Sequence, residues 1–384
     1  MHTLSPPPWV HPAFRLITGG REWTWPELAD RASAMPDGPL SAGGHDLPGL
    51  LAALVAGWWR ERPVALLRGG LPAPAVMVET GRLLLLETSG TTGTPRRVAR
   101  PFDAVLTGIE PPRGKDGGRW LLTYDPCGFA GLQVLLTATA GGGVLLADPE
   151  ASAAGLVRLA TDGGVTHVSA TPSFWRLLLL SGAVPPLARI TLGGEAVDQP
   201  LLDALAARFP SVPIRCIYAA TELGRLFTVA DGREGFPVSW LSHAPGQYSF
   251  RIRNDMLQAH VGGDWQETGD LVEIVGDRVL FRGRNDLVVN IGGAKVNPAL
   301  AESRLLSVPG VTDAVVYGIP NPITGAILAA DIVAPRWRED ETWRTQVNQT
   351  LADLPPAARP RRLRLLDTLP LSVAGKKRRI AEET

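Results

Sequence analysis

The chain has 384 residues, and its 38 basic and 38 acidic residues give a formal net charge of zero. A balanced charge argues against a protein that binds nucleic acid or a membrane surface through bulk electrostatics. The 42 glycines and 34 prolines follow no collagen-like period, and 45% hydrophobic residues argue against a disordered chain, so we expect two or three folded domains.

Thr24 and Glu27 have the spacing of a capping box, which predicts that a helix begins after Thr24. The segment Leu50–Trp59 is apolar along most of its length and predicts a buried helix. Two short apolar runs, Pro63–Leu67 and Leu83–Glu87, predict strands.

Strand and helix patterns alternate between residues 120 and 218. The predicted strands are Trp120–Thr123, Val144–Ala147, His167–Ala170, Ile190–Leu192 and Ile214–Tyr218. The predicted helices are Phe129–Ala140, Ala151–Asp162, Ser173–Leu180 and Gln199–Phe209. Short apolar strands that alternate with helices predict a parallel sheet covered on both faces. Such sheets bind ligands beyond the carboxyl ends of their strands.

After residue 218 the helical pattern stops and a β-rich stretch follows. Its predicted strands are Tyr248–Arg253, a segment around Val261, Leu271–Val275 and Arg278–Phe281. From residue 298 a compact α+β pattern follows, with helices Ala299–Leu306 and Glu341–Ala352 and strands Val311–Ile319, Ala326–Val333 and Arg362–Leu366. We predict an α/β fold: a large N-terminal domain (1–283) with mostly parallel sheets covered by helices plus a β-rich patch, and a small C-terminal α+β domain (284–384).

The two cysteines and the N-terminus bear on the cellular compartment. Neither Cys127 nor Cys216 belongs to a C-x-x-C pair, which excludes a disulfide framework and a zinc–thiolate site. The N-terminal residues show no basic stretch followed by an apolar one, and no apolar run approaches the roughly 20 residues that span a bilayer. We therefore predict a soluble protein in the reducing cytoplasm, without a membrane partner.

A segment dense in hydroxyl groups directly follows the predicted strand Leu83–Glu87. It consists of Thr88, Ser89, Gly90, Thr91, Thr92, Gly93, Thr94 and Pro95, and Arg96 and Arg97 come next. Glycines let a backbone approach a ligand closely, and hydroxyls with successive N–H groups can surround phosphate oxygens. The segment is not a Walker A loop because no G-K-[ST] ends it, yet its composition predicts phosphate binding.

The hydroxyl-rich segment resembles the phosphate-binding loop TSGTTGxPKGV of the adenylate-forming superfamily, which includes acyl- and aryl-CoA synthetases, firefly luciferases and the adenylation domains of peptide synthetases. Arg96 and Arg97 stand where that loop usually has lysine and glycine. The resemblance implies that residues 88–93 bind the phosphates of ATP. It also implies an ATP- and acid-binding domain followed by a small mobile domain.

Two further segments are similar to motifs of the same superfamily. Residues 193–196 resemble its adenine-side loop, and residues 218–222 resemble its YGxTE motif. The resemblance implies nucleotide contacts for Gly193, Gly194, Glu195, Tyr218 and Ala219. It also implies that Thr221 contacts the phosphate or the acyl carboxylate and that Glu222 holds Mg²⁺.

The remaining motifs follow in the superfamily's order. Residues 268–270 match TGD and residues 283–286 match GRxD, which implies that Asp270 and Arg284 bind the ribose and that Asp286 is the hinge between the domains. Gly292 and Gly293 resemble the glycine loop that lines the path of the thiol. Residues 370–376 are similar to PxTxxGK, so the resemblance implies that Lys376 is catalytic together with Thr221 and Glu222.

Single motifs also have plainer interpretations. Glu222 could be a carboxylate at a helix N-terminus, Asp270 a turn residue, and Lys376 part of a solvated basic run. Trp175 is expected in the core rather than in a substrate pocket. The three glycines at 141–143 are expected to end a helix.

Together the motifs imply an ATP-dependent acid–thiol ligase that adenylates an acyl or aryl acid and then transfers the acyl group to CoA. The implied cofactors are ATP, Mg²⁺ and CoA, and the partners are small molecules, without nucleic acid. Phe129, Thr171 and Gly193 are expected near the acid. Two alternatives stay open: loading the phosphopantetheine of a carrier protein, and a degenerate nucleotide-binding protein without ligase activity.

The sequence departs from the superfamily pattern at two places. Only 87 residues precede the phosphate loop, so much of the usual N-terminal subdomain is expected to be missing, which would expose a hydrophobic flank and favour a homodimer. The segment Cys127–Gly131 lacks the histidine of many CoA ligases. Tyr124 and Asp125 resemble the FD pair of amino-acid adenylation domains, but our register places Gly128 there, so an amino-acid substrate is not favoured.

Overall fold

A computed structural model describes residues 5–74, 80–88, 96–111, 117–221, 223–337, 342–371 and 376–379. Its helices, in chain order, are α1 (Trp25–Ser33), α2 (Leu47–Trp59), α3 (Phe102–Leu106), α4 (Phe129–Gly141), α5 (Ala153–Asp162), α6 (Pro172–Ser181), α7 (Gln199–Arg208), α8 (Pro298–Leu306) and α9 (Trp343–Thr350). Across these ranges no helix is both long and apolar enough to cross a membrane.

The strands of the first half, in chain order, are β1 (Arg15–Thr18), β2 (Arg21–Thr24), β3 (Leu40–Gly43), β4 (Val64–Leu67), β5 (Leu83–Thr88), β6 (Arg96–Pro101), β7 (Arg119–Leu122), β8 (Val144–Ala147), β9 (His167–Ala170), β10 (Arg189–Gly193), β11 (Ile214–Ala220) and β12 (Gly224–Val229). The strands that follow are β13 (Phe236–Pro237), β14 (Ser249–Arg253), β15 (Met256–Val261), β16 (Asp264–Val275), β17 (Arg278–Arg284), β18 (Val289–Ile291), β19 (Ala294–Val296), β20 (Asp313–Asn321), β21 (Gly325–Val333) and β22 (Arg362–Leu366). Short 3₁₀ turns cover Val238–Leu241, Asn285–Leu287, Pro335–Trp337 and Pro356–Ala358.

The largest sheet has the strand order β12-β11-β10-β9-β7-β8-β1-β2. Its inner pairs are parallel, and antiparallel partners lie at both edges. A second sheet, β3-β4-β5-β6, is parallel except for its last pair. These two sheets confirm the predicted α/β class. Because β7, β9, β10 and β11 run parallel, their carboxyl ends meet at one edge of the sheet, where such folds bind ligands.

Three further sheets follow along the chain, and the two-stranded sheet β18-β19 is antiparallel. The five-stranded sheet β13-β17-β16-β15-β14 is antiparallel and corresponds to the predicted β-rich stretch. In the three-stranded sheet β20-β21-β22, the first pair is antiparallel and the second is parallel. Helices α8 and α9 cover one face of this sheet with a core that includes Leu305 and Val347. The C-terminal residues therefore form the α+β unit that the pattern predicts.

Local sequence signals fix several helix ends. Glu27 accepts a hydrogen bond from Thr24 N at 2.8 Å, which confirms the capping box at the start of α1. Gly142 ends α4 with φ of 70°, a left-handed conformation that glycine adopts without a steric penalty. Trp175 is fully buried and donates its indole N–H to Thr191 O at 3.0 Å, which confirms its place in the core.

The prediction of an exposed hydrophobic flank near the N-terminus is wrong. Helix α2 is buried on nearly all sides, and Trp9 packs on Phe102 with ring centroids 5.2 Å apart. Trp58 meets the same ring edge-on, also at 5.2 Å. Among the described residues before position 89, no large hydrophobic side chain is exposed. Aromatic packing thus covers the face that the short N-terminal part was expected to leave open.

Helix α6 is the point at which the α+β unit meets the large sheet. Leu180 of α6 packs against a cluster of β20–β21 side chains that includes Val315 and Tyr317, together with Leu369. The N-terminus of α6 follows β9 directly, at the ligand-binding edge of the sheet. The α+β unit is therefore held beside that edge, where its last described residues can reach it.

Candidate active site

The predicted phosphate loop begins at the end of β5. Thr88 pairs with Arg96 of β6, so the residues that flank the loop lie side by side. Residues 89–95 lie outside the described part of the chain, and so does the side chain of Thr88. The phosphate contacts of Thr88, Ser89, Gly90, Thr91, Thr92 and Gly93 therefore stay predictions.

A buried carboxylate fixes the strand that leads into this loop. Glu87 is only 3% exposed, and its Oε2 accepts the backbone N–H groups of Arg68 at 3.1 Å and Gly70 at 3.3 Å. Its Oε1 lies 3.6 Å from Arg97 Nη2. Arg68 in turn donates from Nε to Asp125 Oδ2 at 2.6 Å. This network ties the end of β4 to the segment that follows β7, and it brings the Arg68 guanidinium to the ligand-binding edge.

The glycine pair after β10 lies where the last described residues of the chain arrive. Gly194 has φ of +85°, and a β-carbon at this position would lie 3.5 Å from Lys376 Cε. The same point is 3.7 Å from Thr171 Cγ2 and 3.9 Å from Tyr124 Cε1. Tyr124 donates its hydroxyl to Gly193 O at 3.1 Å. Two predicted motifs far apart in sequence, the adenine-side loop and the catalytic lysine, are thus in contact.

Glu195 connects this loop to two other segments. Its Oε2 accepts from Ser173 N at 3.1 Å and from Ser173 Oγ at 2.6 Å, at the N-terminus of α6. Its Oε1 accepts from Lys377 N at 2.9 Å. The positive end of the helix dipole stabilises a carboxylate at this place. Both carboxylate oxygens therefore bind protein groups, and Glu195 holds the backbone of Lys377 beside the N-terminus of α6.

Tyr218, Asp270 and Arg284 form a second cluster. The Tyr218 hydroxyl donates a hydrogen bond to Asp270 Oδ2, and Arg284 Nη1 lies 3.5 Å from Asp270 Oδ1. The Tyr218 ring packs on Phe227 and Phe281, each with centroids 4.9 Å away. The large sheet and the five-stranded sheet each supply part of this cluster.

Burial and neighbouring charges shift the pKa values of this cluster. Burial raises the pKa of Asp270, while the Tyr218 hydroxyl and the Arg284 guanidinium oppose that rise. Burial also raises the pKa of Tyr218 well above its ordinary value, and the adjacent Asp270 charge adds to the shift. The cluster therefore keeps Tyr218 as a neutral donor and makes Asp270 the group that titrates.

Lys376 is exposed at the surface, yet its pKa is lowered. The largest cause is the displacement of water by neighbouring protein atoms. Arg284 and Arg68 lower the pKa further, whereas Glu195 and Asp270 raise it. Lys376 therefore lies within electrostatic reach of both clusters.

The YGxTE-like segment lies at the end of β11. Tyr218 and Ala219 belong to this strand, and the pairing with β12 shifts register between them. Thr221 lies in the connection to β12, and Glu222 lies outside the described residues. The predicted roles of Thr221, Ala219 and Glu222 stay predictions.

The three residues expected near the acid occupy two places. Thr171 is buried at the start of α6, where its hydroxyl accepts from Phe174 N at 3.2 Å, and it lies with Gly193 near Lys376. Phe129 opens α4, and its Cζ lies 3.8 Å from the point where a β-carbon of Gly224 would be. Gly224 is the first residue of β12, so Phe129 lies beside the start of that strand.

The predicted hinge and thiol path lie at the start of the α+β unit. Asp286 is in a 3₁₀ turn and pairs with Arg284, with Oδ1 3.1 Å from Nε. Gly292 and Gly293 form the turn between β18 and β19, with φ of +58° and +89°. Gly292 N donates to Thr324 O at 2.9 Å. Lys376 faces the Gly194 loop of the large domain, and Gly292 contacts the β20–β21 turn of its own unit.

Two family models match this chain. The model of the AMP-binding enzymes matches residues 71–252, and the model of their C-terminal domain matches residues 301–376. The chain belongs to the adenylate-forming AMP-binding enzymes. Both matched segments contain predicted motifs, the second one ending at Lys376.

Curated relatives within this family are distant in sequence. Phenyloxazoline synthase MbtB of Mycobacterium tuberculosis is 28% identical over 353 residues, which cover 77% of this chain and 24% of that protein. The chain thus spans about a quarter of the length of the first curated relatives that it matches. A probable 2-succinylbenzoate–CoA ligase of the same species is 28% identical over 324 residues, covering 78% of this chain and 83% of that protein.

Solved structures of adenylate-forming enzymes share the fold. The anthranilate CoA ligase AuaEII, in complex with anthranoyl-AMP, superposes with a TM-score of 0.70 at 17% sequence identity. The superposition covers 94% of this chain and 92% of that one. A likeness at this identity establishes the architecture of the AMP-binding enzyme and leaves its chemistry to the site residues.

Several residues of the AMP-binding enzyme's site were missed from the sequence. Arg68 belongs to no motif that we identified, and Tyr124 was noted only as part of the FD-like pair; the place of both depends on contacts with distant segments. Arg176 and Asp313, which join α6 to β20, left no signal either. A local pattern could have found only Lys377, as the neighbour of a motif lysine.

Proposed function

We propose that this AMP-binding enzyme is an ATP-dependent acid–thiol ligase. It joins a carboxylic acid to the α-phosphorus of ATP with release of pyrophosphate, and then transfers the acyl group from AMP to the thiol of CoA. The α/β unit over residues 1–283 binds ATP and the acid, and the unit over residues 284–384 is mobile and carries Lys376. The membership of the family supports the adenylation step, and the site geometry supports the assignment of residues.

The contact between Lys376 and the Gly194 loop carries this proposal. Nucleotidyl transfer builds negative charge between two anions, so a directed cation supplies most of what a protein can add. Lys376 reaches the ligand-binding edge from a different unit of the fold, with Cε beside Gly194. A flexible lysine stem suits a cation that must approach and withdraw. The plainer interpretation of Lys376 as part of a solvated basic run does not account for this contact.

Asp270, Tyr218 and Arg284 suit a nucleoside. A carboxylate held by a tyrosine hydroxyl and a guanidinium is an acceptor in a fixed position, and ribose hydroxyls are donors that match it. Asp270 lies within electrostatic reach of Lys376, which is what a ligand with both a ribose and a phosphate requires. Mg²⁺ is assigned through Glu222 and the motif alone, with carboxylate oxygen as the expected ligand.

The acid is proposed to be an acyl or aryl acid without an α-amino group. In amino-acid adenylation domains an aspartate binds the amine, and Asp125 is the residue of that type nearest the expected place. Asp125 already pairs with Arg68 at 2.6 Å and accepts Cys127 N at 2.9 Å. An amine would have to displace the Arg68 guanidinium, which already pairs with Asp125.

A carrier-protein thiol is the second candidate acceptor. The observation in its favour is the similarity to phenyloxazoline synthase, in which a segment like this chain is one part of a longer protein. The similarity to a 2-succinylbenzoate–CoA ligase over most of its length favours CoA. The thiol path along Gly292 and Gly293 is proposed for either acceptor.

The proposal is tested by pyrophosphate release with ATP, Mg²⁺ and a panel of acids that includes benzoate, anthranilate, 2-succinylbenzoate, octanoate and single amino acids. We expect release with at least one acyl or aryl acid and none with the amino acids. Addition of CoA or of a holo-carrier protein then identifies the acceptor by mass spectrometry of the thioester. No release with any acid, while ATP binds, would favour the degenerate nucleotide-binding protein.

A further inference from the structure

Two neighbouring lysines at the end of the described chain point in opposite directions. Lys376 reaches the Gly194 loop of the large sheet. The side chain of Lys377 is only 7% exposed and enters the α+β unit, where Nζ donates to Ala314 O at 2.6 Å and lies 2.8 Å from Asp313 Oδ1. The chain has four lysines in all, so a buried one beside the proposed catalytic lysine needs an explanation.

Arg176 reaches the same oxygen of Asp313 from the large domain. It belongs to α6, its side chain is 8% exposed, and its Nε lies 3.4 Å from Asp313 Oδ1. It also donates to Thr312 O at 3.5 Å and to Asp198, which caps α7. Asp313 therefore lies between a cation of the large domain and a cation of the α+β unit.

The charges of this contact are balanced within each unit. Arg176 and Asp198 compensate each other in the large domain. In the α+β unit, the cations Lys377 and Arg379 face the carboxylates of Glu302 and Asp313. If the two units separate, each of these groups keeps a partner of opposite charge within its own unit, so the Arg176–Asp313 pair can open without the penalty that a lone buried charge would bring.

We propose that the pair Arg176–Asp313 is a latch that holds the α+β unit in the orientation in which Lys376 reaches the nucleotide. Lys377 anchors Asp313 from within the unit, and Glu195 completes the latch by accepting Lys377 N–H. Arg176 and Asp313 are positioning residues, since they act through Lys376. The proposal rests on the proposed function for its effect on the reaction, but not for its effect on the position of the unit.

The latch proposal predicts that the two half-reactions require different orientations of the α+β unit. Adenylation requires the latched orientation, because Lys376 is then beside Gly194. Thioester formation is proposed to require Gly292 and Gly293 to approach the thiol, and therefore a different orientation of the unit from the one in which Lys376 is beside Gly194. Opening the latch should therefore slow the first half-reaction and leave the second unchanged or faster.

The position of the unit is tested by trypsin, without any need for ligase activity. Cleavage within residues 376–379 requires the backbone N–H of Lys377 to leave Glu195 of the large domain, and the released C-terminal peptides are measured by mass spectrometry. Arg176→Met keeps the aliphatic stem and removes the guanidinium, and we expect this cleavage to become about tenfold faster. Arg304→Met is the matched control, since Arg304 forms an exposed pair with Asp353 inside the α+β unit, and it should cleave like the wild type.

Asp313→Asn and the double variant show whether the two side chains act as one contact. If they do, the double variant cleaves no faster than the faster single variant. Asp198→Asn, which removes the other partner of Arg176, should have a smaller effect. Unchanged cleavage in both Arg176→Met and Asp313→Asn, with melting temperatures like that of the wild type, would overturn the latch whether or not any acid supports the ligase reaction.

The half-reactions test the consequence for catalysis. With the acid that the panel selects, Arg176→Met should lower kcat for pyrophosphate release about tenfold and change the KM for ATP less than about threefold. Thioester formation from the corresponding acyl-adenylate should not fall. Equal losses in both half-reactions would overturn the latch in favour of a purely structural role. No pyrophosphate release by the wild type contradicts the proposed function instead, and the trypsin comparison still decides the latch.

Discussion

The hydroxyl of Tyr218 donates a hydrogen bond to the carboxylate of Asp270, so the large sheet and the five-stranded sheet meet at a single titratable group. Tyr218 lies on β11, directly before the connection that contains Thr221. Asp270 lies on β16 beside Arg284. This hydrogen bond fixes the position of the Asp270 carboxylate, which we propose accepts from the ribose hydroxyls. Its effect on Asp270 should appear in the pH dependence of kcat/KM for ATP.

Tyr218→Phe should move the acidic limb of kcat/KM for ATP to higher pH by about one unit. Burial already raises the pKa of Asp270, and the Tyr218 hydroxyl opposes that rise, so its removal raises the pKa further. ATP binding needs the ionised carboxylate and is lost as the pH falls through this pKa. Tyr248→Phe is the control, because the Tyr248 hydroxyl donates to Leu223 O instead. A limb that stays in place in Tyr218→Phe would separate Asp270 from ATP binding.

Asp270→Asn should raise the KM for ATP by about 10- to 100-fold, since loss of a charged hydrogen-bond partner costs roughly 1.5–3 kcal/mol. The KM for the acid should change by less than about threefold, because the ribose and the acid occupy different parts of the site. Steady-state kinetics with each substrate varied in turn measures both values. Asp277→Asn, which breaks the exposed pair with Arg233 at the β16–β17 turn, should change neither. Equal rises for ATP and acid would mean that Asp270 supports the fold rather than the nucleotide.

Arg68→Met and Glu195→Gln should move the alkaline limb of adenylation in opposite directions. The charge of Arg68 lowers the pKa of Lys376 and that of Glu195 raises it. Adenylation needs protonated Lys376 and is lost as the pH rises through this pKa. The limb should therefore move up in Arg68→Met and down in Glu195→Gln, in profiles of kcat/KM for ATP.

Ser173→Ala is the control for Glu195→Gln. It removes one donor to Glu195 and keeps the carboxylate charge, so its alkaline limb should stay near that of the wild type. Shifts of the same sign in Arg68→Met and Glu195→Gln would contradict the placement of Lys376 between these two charges.

The parts of the fold that the sequence predicted are those set by local chemistry. The capping box of Thr24 and Glu27, the glycine at 142 and the apolar alternation from residue 120 to 218 each depend on neighbours a few residues apart. Lys376 and Asp270 are predicted as site residues only through the resemblance, since nothing local distinguishes Lys376 from a basic tail.

The parts that were missed depend on tertiary contacts. Arg68 gains its place only when the end of β4 meets Asp125, and Arg176 gains its place only when β20 packs beside α6. The expected hydrophobic flank was wrong for the same reason, because Trp9 and Phe102 cover α2 from distant points of the chain. A local sequence pattern indicates which interactions a side chain can form, and the tertiary fold determines which partner it contacts.

The most direct measurement is the separation of the two half-reactions in Lys376→Ala. One directed cation in a preorganised site is worth at least roughly 2.7 kcal/mol, so pyrophosphate release should fall by about 100-fold or more. Formation of thioester from supplied acyl-adenylate and thiol should stay near the wild-type rate. Asp286→Pro, which fixes φ near −65° in the predicted hinge, should show the reverse pattern.

Arg378→Ala is the matched control for the loss of a cation, because Arg378 is an exposed residue of the same basic run. It should retain both half-reactions. The account predicts that Lys376→Ala loses adenylation alone. Equal losses of both half-reactions in Lys376→Ala, or a loss in Arg378→Ala as large as in Lys376→Ala, would contradict it.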